Sequence, residues 1–507
     1  MKTFASNTPQ FMYQIYPLGL MGRLAYTTGK HPESLRELRP WIDHIVSLGC
    51  DALYLGPVFL SESHGYDTID PKLVDPRLGK NEDLTELVDY CHRKNIKVVF
   101  DAVFNHLGRK ASQFQELKKG NGHGRYEHWI SGLRTDRNNP CNDGFDYDTW
   151  AGHYDLVRLD TDNPEVRTWW ADIVRYWFDT FHIDGLRLDA ADCLSQDFIR
   201  FISQVARERN PHAWLMGEMV HGDYRDCMGK GLLESITNYE LYKGIWSSIL
   251  NENMFEMAYS LDRQFGPVGL YREFKLYTFT DNHDVNRLGT VLKESWQLHQ
   301  ALALMFTMPG IPSIYYGSEF GIPGAKLPHT DDPLRPALNL ESLGDESKSW
   351  GKGRWELAET IRRLAAIRAA SLALRDGRYE ELFVSNTALA FRRKLGTDEV
   401  IVAVNLNGTT MSMFPGSGEK RNCAEGVAVW DHAKGGQCRG IPLADGTWTD
   451  LWDGTQWSAH QGRINVEVPS HWIDHHRKWR YHDAKRNGEN GSDHTETLRY
   501  PNRYPDG

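Results

Sequence analysis

Short runs of apolar, β-branched and aromatic residues alternate with longer stretches of helical hydrophobic period from the start of the chain to about residue 375. Residues 32–48 show the helical pattern, because Leu35, Leu38, Ile42 and Ile45 recur at the spacing of one helix face. The same periodicity predicts helices at residues 81–94, 163–181 and 355–368.

Eight of the short apolar runs are predicted to be strands. They lie at residues 11–16, 52–55, 97–103, 185–189, 213–217, 235–237, 276–280 and 313–316. Strands that alternate with helices form parallel βαβ units. Eight such units in one run predict an α/β fold closed into a (β/α)8 TIM barrel, in preference to an open doubly wound sheet.

Two regions depart from this alternation. Residues 105–160, rich in Gly, Asn, Asp and aromatics, are too long for a simple loop and predict a small domain inserted after the third strand. Beyond residue 376, period-2 runs such as 400–405 and 464–468 predict an antiparallel β-sandwich. The predicted domains are the barrel (1–104 and 161–375), the insert (105–160), a C-terminal β-domain (376–485) and a polar tail (486–507).

Composition excludes several classes of protein. The 507 residues, 40% of them hydrophobic, are enough for two or three globular domains. A net charge of −10 argues against sequence-independent binding to nucleic acid, which needs a basic face. The chain shows neither an apolar run of about 18 residues nor a signal peptide, so we expect no membrane partner. Seven scattered cysteines without a CxxC motif favour reduced thiols and a cytoplasmic location.

Polar residues cluster where predicted strands end. The third strand ends in DAVFNH, the fourth in GLRLD, the fifth in GE and the seventh in TDNHD. A single aspartate after a strand is more often a helix cap or turn residue. Four strand ends in a TIM barrel meet at one rim, however, and together they supply several acids, one arginine and two histidines. This combination favours a catalytic site.

Several carboxylates without a His/Cys metal cluster fit the chemistry of glycoside hydrolysis. That reaction needs one protonated acid beside the leaving oxygen and one ionised carboxylate beneath the anomeric carbon. Two acids placed close together push their pKa values apart, which supplies both roles. Arg187 lies two residues before Asp189 on the same strand face, where its guanidinium would keep Asp189 ionised and oriented.

The segments DAVFNH, GLRLDAAD, GE and FTDNHD, in this order, resemble the four sequence regions of the α-amylase family of glycoside hydrolases. QIYP, HGYD and GIPSIYYGSEFG extend the resemblance over about residues 11–375. It implies a retaining enzyme that cleaves α-1,4-glucosidic bonds in an α-glucan oligosaccharide.

Residue by residue, the resemblance makes Asp189 the nucleophile, Glu218 the general acid/base and Asp284 a third carboxylate that hydrogen-bonds the sugar. In a retaining enzyme the first two carboxyl groups should lie about 5–5.5 Å apart. Among the other matches are an aromatic platform, sugar-binding histidines and an acid that supports the site. The predicted substrate-binding residues are Tyr66, Asp67, His106, Arg187, His283, His221 and Asp101.

Two segments, WAGHYDLVRLDTDNPEVR and GEMVH, are most similar to the cyclomaltodextrinase, neopullulanase and maltogenic amylase branch. That similarity implies short or cyclic maltodextrins as substrates. Many enzymes of this branch carry an N-terminal β-domain that helps to form a dimer. Here the first predicted barrel strand begins at residue 11, so we expect the chain to lack that N-terminal β-domain and its mode of dimerisation. A homo-oligomer formed in another way stays open.

Other features leave alternatives open. Asp192 and Cys193 stand where many α-amylases have Lys-His, whereas Asn105 matches a calcium ligand of the family. We therefore expect that no cofactor is required, with calcium at Asn105 as a possibility. Aromatic residues of the insert would serve either as sugar platforms or as its core. A transglycosylase with the same site, or a non-catalytic carbohydrate-binding protein, are the rival functions.

Overall fold

A computed structural model describes residues 8–24, 34–351 and 353–407 of the chain. It also describes short C-terminal segments at 411–413, 446–452, 454, 456–459, 466–468 and 480–482. The predicted polar tail at 486–507 lies outside the described residues.

Eight parallel strands form one sheet. They are β1 (Met12–Ile15), β2 (Ala52–Leu55), β3 (Lys97–Ala102), β4 (Gly185–Leu188), β5 (Trp214–Gly217), β6 (Ser235–Ile236), β7 (Tyr277–Phe279) and β8 (Ile311–Tyr315). Neighbours pair in the order β6-β5-β4-β3-β2-β1-β8-β7. A parallel bridge between Thr237 and Tyr277 joins the two ends of this order, and the Asn238 N–H donates to the Tyr277 carbonyl at 2.8 Å. The predicted (β/α)8 barrel is confirmed.

Helices follow the strands and cover the outside of the barrel. The main ones are α1 (Arg39–Leu48), α2 (Asn81–Arg93), α3 (Pro164–Phe181), α4 (Gln196–Arg209), α5 (Tyr239–Leu250), α6 (Met254–Phe265), α7 (Ser295–Thr307) and α8 (Leu357–Ala370). Other helical segments are Pro17–Leu20, Ser112–Lys119, Leu288–Val291, Leu340–Trp350 and Leu372–Asp376. The helix predicted at 32–48 begins later as an α-helix, because Leu35–Leu38 form a 3-10 turn before it.

Local sequence explains where these helices begin. At α3 the Asn163 side chain accepts hydrogen bonds from the Glu165 and Val166 N–H groups, and Pro164 occupies the first turn. The apolar face of α3 then buries Trp170 and Trp177 against the barrel. The capping residues and the hydrophobic periodicity therefore indicate the same helix, α3.

The barrel lumen is filled with side chains. One cluster of buried residues comes from alternate positions of the strands: Met12, Ala52, Tyr54, Val99, Trp214, Met216, Tyr277, Phe279 and Ile311. A larger apolar layer lies between the strands and the helices. Both faces of each strand are covered, which explains why the strand sequences are continuous apolar runs and do not alternate between apolar and polar residues.

Between β3 and α3 the chain forms a small antiparallel sheet of His106–Gly108, His153–Arg158 and Thr149–Trp150. The helix Ser112–Lys119 packs beside it through Phe114, whose ring contacts Phe145 and Tyr147. These two aromatic residues are buried and form the core of the insert. The limits proposed for the insert and for the other domains stay predictions.

After the barrel, β9 (Arg378–Val384), β10 (Ala388–Leu395) and β11 (Asp398–Asn405) form an antiparallel sheet. Its further strands are Arg480–His482, Gly446–Asp450 and Gln456–Ala459. A second pair consists of Met411–Met413 and Val466–Val468. The predicted antiparallel C-terminal β-structure is confirmed.

Two further findings bear on the sequence-based expectations. In the part of the chain that the structure describes, no helix has the length and apolar character needed to cross a membrane. Cys50, Cys91, Cys141, Cys193 and Cys227 are free thiols.

Gly185 at the start of β4 allows the close approach of β5, because a Cβ there would overlap the Trp214 carbonyl oxygen. We expect Gly185→Ala to lower the free energy of unfolding by about 3 kcal/mol, since the obstacle is backbone. The matched control is Gly244→Ala in α5, where a Cβ would meet the Met257 sulfur at an ordinary 3.5 Å. That variant should gain about 0.5–1 kcal/mol. Urea unfolding followed by circular dichroism compares them, and equal stability of the two variants would contradict the prediction.

Candidate functional site

Three carboxylates surround one guanidinium at the carboxyl ends of β3, β4 and β5. Nη1 of Arg187 lies 2.7 Å from Asp101 Oδ1 and 2.7 Å from Asp189 Oδ1, and Nη2 lies 2.8 Å from Glu218 Oε2. The Arg187 side chain is only 2% exposed. The structure therefore brings together the predicted nucleophile, the predicted acid/base and the supporting acid at a single cation.

Strand register places these groups. Asp101 on β3 stands directly beside Arg187 on β4. Beyond the strands the ladder continues, because the Asp189 N–H donates to the Ala102 carbonyl and the Glu218 N–H donates to the Leu188 carbonyl. Both carboxylates are thus attached to backbone that hydrogen bonds fix on a rigid sheet.

Electrostatics within this cluster favour a retained proton. Burial raises the pKa of Asp189 well above its usual range, the Arg187 guanidinium opposes that rise, and the charge of Glu218 adds to it. Burial likewise raises the pKa of Asp101, against the effect of Arg187. Burial lowers the pKa of Arg187, but the surrounding carboxylates raise it further, so the guanidinium stays charged. Three acids that share one cation do not ionise independently. Their mutual repulsion pushes their pKa values apart, so that one carboxyl can serve as an acid while another serves as a base.

Asp284 stands on the opposite side of the rim, after β7. Its Oδ1 accepts from Arg335 Nη2 at 3.0 Å, and its Oδ2 lies 3.1 Å from His283 Nε2. Arg335 also bonds Asp331 at 3.1 Å and lies over the Tyr16 ring. Arg335 was missed in the sequence analysis, because it follows β8 in a segment without strand or helix periodicity.

A buried tyrosine connects His283 to the arginine cluster. The Tyr66 hydroxyl donates to Asp101 Oδ2 at 2.8 Å and lies 2.5 Å from His283 Nε2. The Tyr54 hydroxyl donates to the same Asp101 oxygen at 2.7 Å. Asp101 therefore holds Arg187 with one oxygen and two tyrosines with the other.

Glu218 has a second set of partners. The Tyr239 hydroxyl donates to Glu218 Oε1 at 3.1 Å and accepts from Asn282 Nδ2 at 3.0 Å. Asn282 Oδ1 in turn accepts the Asp284 N–H at 2.9 Å. Neither Tyr239 nor Asn282 was singled out from the sequence. Asn282 lies inside the TDNHD segment, which could have pointed to it. Tyr239 begins an amphipathic helix, where an aromatic residue is expected to pack against the core.

Three remaining predicted residues differ in their placement. His106 Nε2 lies 3.2 Å from the Tyr66 carbonyl, and burial lowers the pKa of His106 to about 4, so it is neutral. Asp67 is buried and accepts from the Ser63 hydroxyl at 2.6 Å. His221 is exposed on the loop after β5, and among the described residues it makes no hydrogen bond to the acidic cluster.

The insert contributes one aromatic ring to this region. Trp150 is half-buried, with its ring 6.1 Å from that of His106 and stacked on His153. Of the aromatic residues of the insert, Trp150 is thus beside the rim, whereas Phe145 and Tyr147 form internal packing.

A calcium site at Asn105 is not supported by a set of acidic ligands. Over the described ranges, no group of three or more His, Cys, Asp or Glu side chains is arranged to hold a metal ion. Asn105 is buried, its carbonyl accepts the Leu159 N–H at 2.9 Å, and its side-chain amide lies 3.4 Å from His106 Nδ1. Calcium binding there stays a prediction.

Known proteins are similar to this chain in sequence and in architecture. A cyclomaltodextrinase from Bacillus sp is 30% identical over 380 residues, a match that covers 72% of this chain and 64% of that protein. Neopullulanase 2 of Thermoactinomyces vulgaris is 30% identical over 428 residues, covering 82% and 69%. The chain spans only about six tenths of the length of the cyclomaltodextrinases it matches (64%, 60% and 62%).

Among solved structures, the ligand-free cyclic alpha-maltosyl-(1→6)-maltose hydrolase of Arthrobacter globiformis superposes with a TM-score of 0.69 at 26% identity. That match covers 80% of this chain and 93% of the other. Residues 14–359 match the family model described as Alpha amylase, catalytic domain. With more than half of its length in that match and with the same barrel, the chain belongs to the alpha-amylase family.

Proposed function

We propose that this protein is a retaining glycoside hydrolase that cleaves α-1,4-glucosidic bonds in short or cyclic maltodextrins. The observation that carries the proposal is the single buried guanidinium of Arg187 in contact with Asp101, Asp189 and Glu218. The names of the relatives, among them cyclomaltodextrinase, neopullulanase and a cyclic maltosyl-maltose hydrolase, support the substrate class.

In the first step, Asp189 attacks the anomeric carbon while Glu218 gives its proton to the glycosidic oxygen. The bond to the leaving sugar breaks as the bond to the Asp189 oxygen forms, and the proton leaves with the aglycone hydroxyl. Arg187 serves this step by favouring the ionised form of Asp189, against the effect of burial on its pKa, and by aiming the carboxylate through its 2.7 Å contact.

In the second step, Glu218 takes a proton from water, and the water oxygen displaces Asp189 from the anomeric carbon. Two inversions give net retention of configuration. The Tyr239 hydroxyl, which donates to Glu218 Oε1, holds the carboxyl in one orientation for both proton transfers.

The other side of the rim would bind the sugar. The Asp284 side chain is 31% exposed, Arg335 fixes its Oδ1, and its Oδ2 lies 3.1 Å from His283 Nε2, so it is ready to accept hydrogen bonds from sugar hydroxyls. Tyr66 would provide an aromatic surface beneath the ring, and His106 would add a neutral hydrogen-bonding group. Trp150 beside His106 extends this surface.

We further propose a cytoplasmic enzyme that needs no cofactor, with a homo-oligomer possible and with calcium at Asn105 as the alternative to metal independence. Dialysis against EDTA discriminates between these possibilities. Full activity and an unchanged melting temperature support metal independence, whereas losses that calcium restores would contradict it.

Incubation with maltose, maltotriose, cyclodextrins, pullulan and starch, with identified products, tests the proposed activity. Glucose and maltose released from maltotriose or cyclodextrin support hydrolysis. Chain-lengthened products as the main outcome would identify a transglycosylase, since that reaction uses the same covalent intermediate with a sugar acceptor. Binding without any product would point to a carbohydrate-binding protein.

Asp189→Asn should lower kcat by about 10⁴-fold or more, because the amide cannot form the covalent intermediate. The matched control is Asp197→Asn, an exposed aspartate in the first turn of α4. Both variants should fold as the wild type does, as judged by circular dichroism. Near-normal turnover by Asp189→Asn would refute the assignment of the nucleophile.

Glu218→Gln should regain kcat/KM, which reports the first step, on an aryl glycoside whose leaving group departs without protonation, whereas kcat stays low because the second step still lacks its base. The pH dependence of kcat/KM on that substrate is informative, because the charge of Glu218 raises the pKa of Asp189. Removing this charge lowers the pH at which Asp189 ionises, so the acidic limb should move to lower pH. An acidic limb that stays in place or moves to higher pH would contradict the coupling between the two carboxyls.

A further inference from the structure

We propose that Gln14 is a positioning residue that fixes the tautomer of His283, so that the imidazole presents an Nε2–H donor to the Tyr66 oxygen. The inference rests on the proposed function only for its catalytic consequence, since the tautomer itself is a property of the resting protein.

Gln14 is a buried amide in an otherwise apolar and aromatic barrel lumen. It lies on β1, is 1% exposed, and shares a strand face with Met12 of the lumen cluster. A buried amide is costly unless both of its ends are hydrogen-bonded. The Nε2 of Gln14 lies 2.8 Å from His283 Nδ1, and its Oε1 lies 3.5 Å from the Tyr277 hydroxyl.

The orientation of the Gln14 amide follows from the chain of donors below it. The Ser313 hydroxyl donates to the Tyr277 oxygen at 2.8 Å, which leaves the Tyr277 proton for the Gln14 carbonyl oxygen. The Gln14 NH2 group then faces His283. An amide nitrogen has no lone pair to offer, so His283 Nδ1 must be the acceptor and carries no proton.

The other side of the imidazole leads to the same tautomer independently. His283 Nε2 faces Asp284 Oδ2 at 3.1 Å and the Tyr66 oxygen at 2.5 Å. The Tyr66 proton is already donated to Asp101 Oδ2 at 2.8 Å. A bare nitrogen in this place would face two oxygens that have no proton to give, so Nε2 carries the proton.

His283 has one proton to place, because it is neutral. Burial lowers its pKa well below the usual range, and the charges of Arg335 and Arg187 lower it further, against the opposing effect of Glu218. With Nδ1 accepting from Gln14, the single N–H of the ring points at the Tyr66 oxygen, 2.5 Å away. The hydrogen bonds therefore run in one direction. Ser313 donates to Tyr277, Tyr277 donates to Gln14, and Gln14 donates to His283, whose own N–H faces the rim.

This order has a consequence for the acidic cluster. An Nε2–H group that donates to the Tyr66 oxygen leaves the Tyr66 proton on Asp101 Oδ2, at 2.8 Å. A tautomer with the proton on Nδ1 would turn a lone pair toward the Tyr66 hydroxyl and draw its proton away from Asp101. Gln14 therefore acts on the site through His283, although it lies in the lumen and does not reach the rim itself.

Three variants test the proposal. Gln14→Glu keeps the shape but offers Nδ1 an acceptor, which should draw the histidine proton to Nδ1. Gln14→Met removes the hydrogen bond without offering an acceptor, so the contact with the Tyr66 oxygen should keep the proton on Nε2. Gln264→Glu is the matched control: Gln264 is also buried, and its carbonyl accepts from the Asn238 amide rather than facing a histidine.

The first measurement is the histidine tautomer by long-range ¹H–¹⁵N NMR on protein labelled with ¹⁵N-histidine, with the His283 signals assigned by their loss in His283→Gln. We expect Nε2–H in the wild type, in Gln14→Met and in Gln264→Glu, and a protonated Nδ1 in Gln14→Glu. A wild-type Nδ1–H tautomer, or Nε2–H as the sole protonated nitrogen in Gln14→Glu, would overturn the proposal whether or not the protein proves to be a glycosidase.

The second measurement is the kinetics on the best substrate of the panel. Gln14→Glu should lower kcat by about 10- to 100-fold, the range expected when one hydrogen bond to a charged group is lost, and Gln14→Met should lower it less. A role in packing alone predicts the reverse order or equal losses, because glutamate is the closer isostere. Thermal unfolding of all variants shows whether a loss of kcat comes from misfolding. In that measurement, Gln264→Glu gives the loss of stability caused by a buried carboxyl alone.

Discussion

The ion-pair cluster around Arg187 is the constraint on which the site depends. One guanidinium contacts three carboxylates at 2.7–2.8 Å in a buried position. Buried charges are stable only when they are paired and hydrogen-bonded, so removing the cation would leave like charges together without compensation. The same imbalance keeps a proton among the acids, which is what acid and base chemistry in one pocket requires.

The barrel makes that cluster possible because parallel strands bring their carboxyl ends to one rim. Hydrogen bonds from the Asp189 and Glu218 N–H groups to the neighbouring strand ends continue the sheet by one residue, and the carboxylates inherit its rigidity. Around them lies a shell of neutral hydroxyl donors, with Tyr54 and Tyr66 bonded to Asp101 and Tyr239 bonded to Glu218. Because few polar groups in the shell can rotate freely, the charged groups need little reorganisation when substrate binds.

The lumen also takes part in this organisation. Its lower part is apolar and aromatic, but Ser313, Tyr277 and Gln14 form a polar path through it that reaches His283 at the rim. A hydrogen-bonded path of this kind specifies one packing of the barrel interior, since each donor has a single matching acceptor. Structural specificity and the proton position on His283 thus have the same origin.

The sequence alone determined the repeating βα pattern, the barrel and the strand ends that carry Asp189, Glu218 and Asp284, because hydrophobic period and chain order are local properties. The β2 strand at 52–55 was predicted to the residue, and others differ only at their ends. Only the tertiary structure decided which polar groups meet across the barrel. Arg335, Tyr239 and Gln14 come from a loop, a helix start and a lumen position, and no local pattern sets them apart from packing or surface residues. His221 shows the converse: its sequence placed it near Glu218, but the direction of its loop left it exposed.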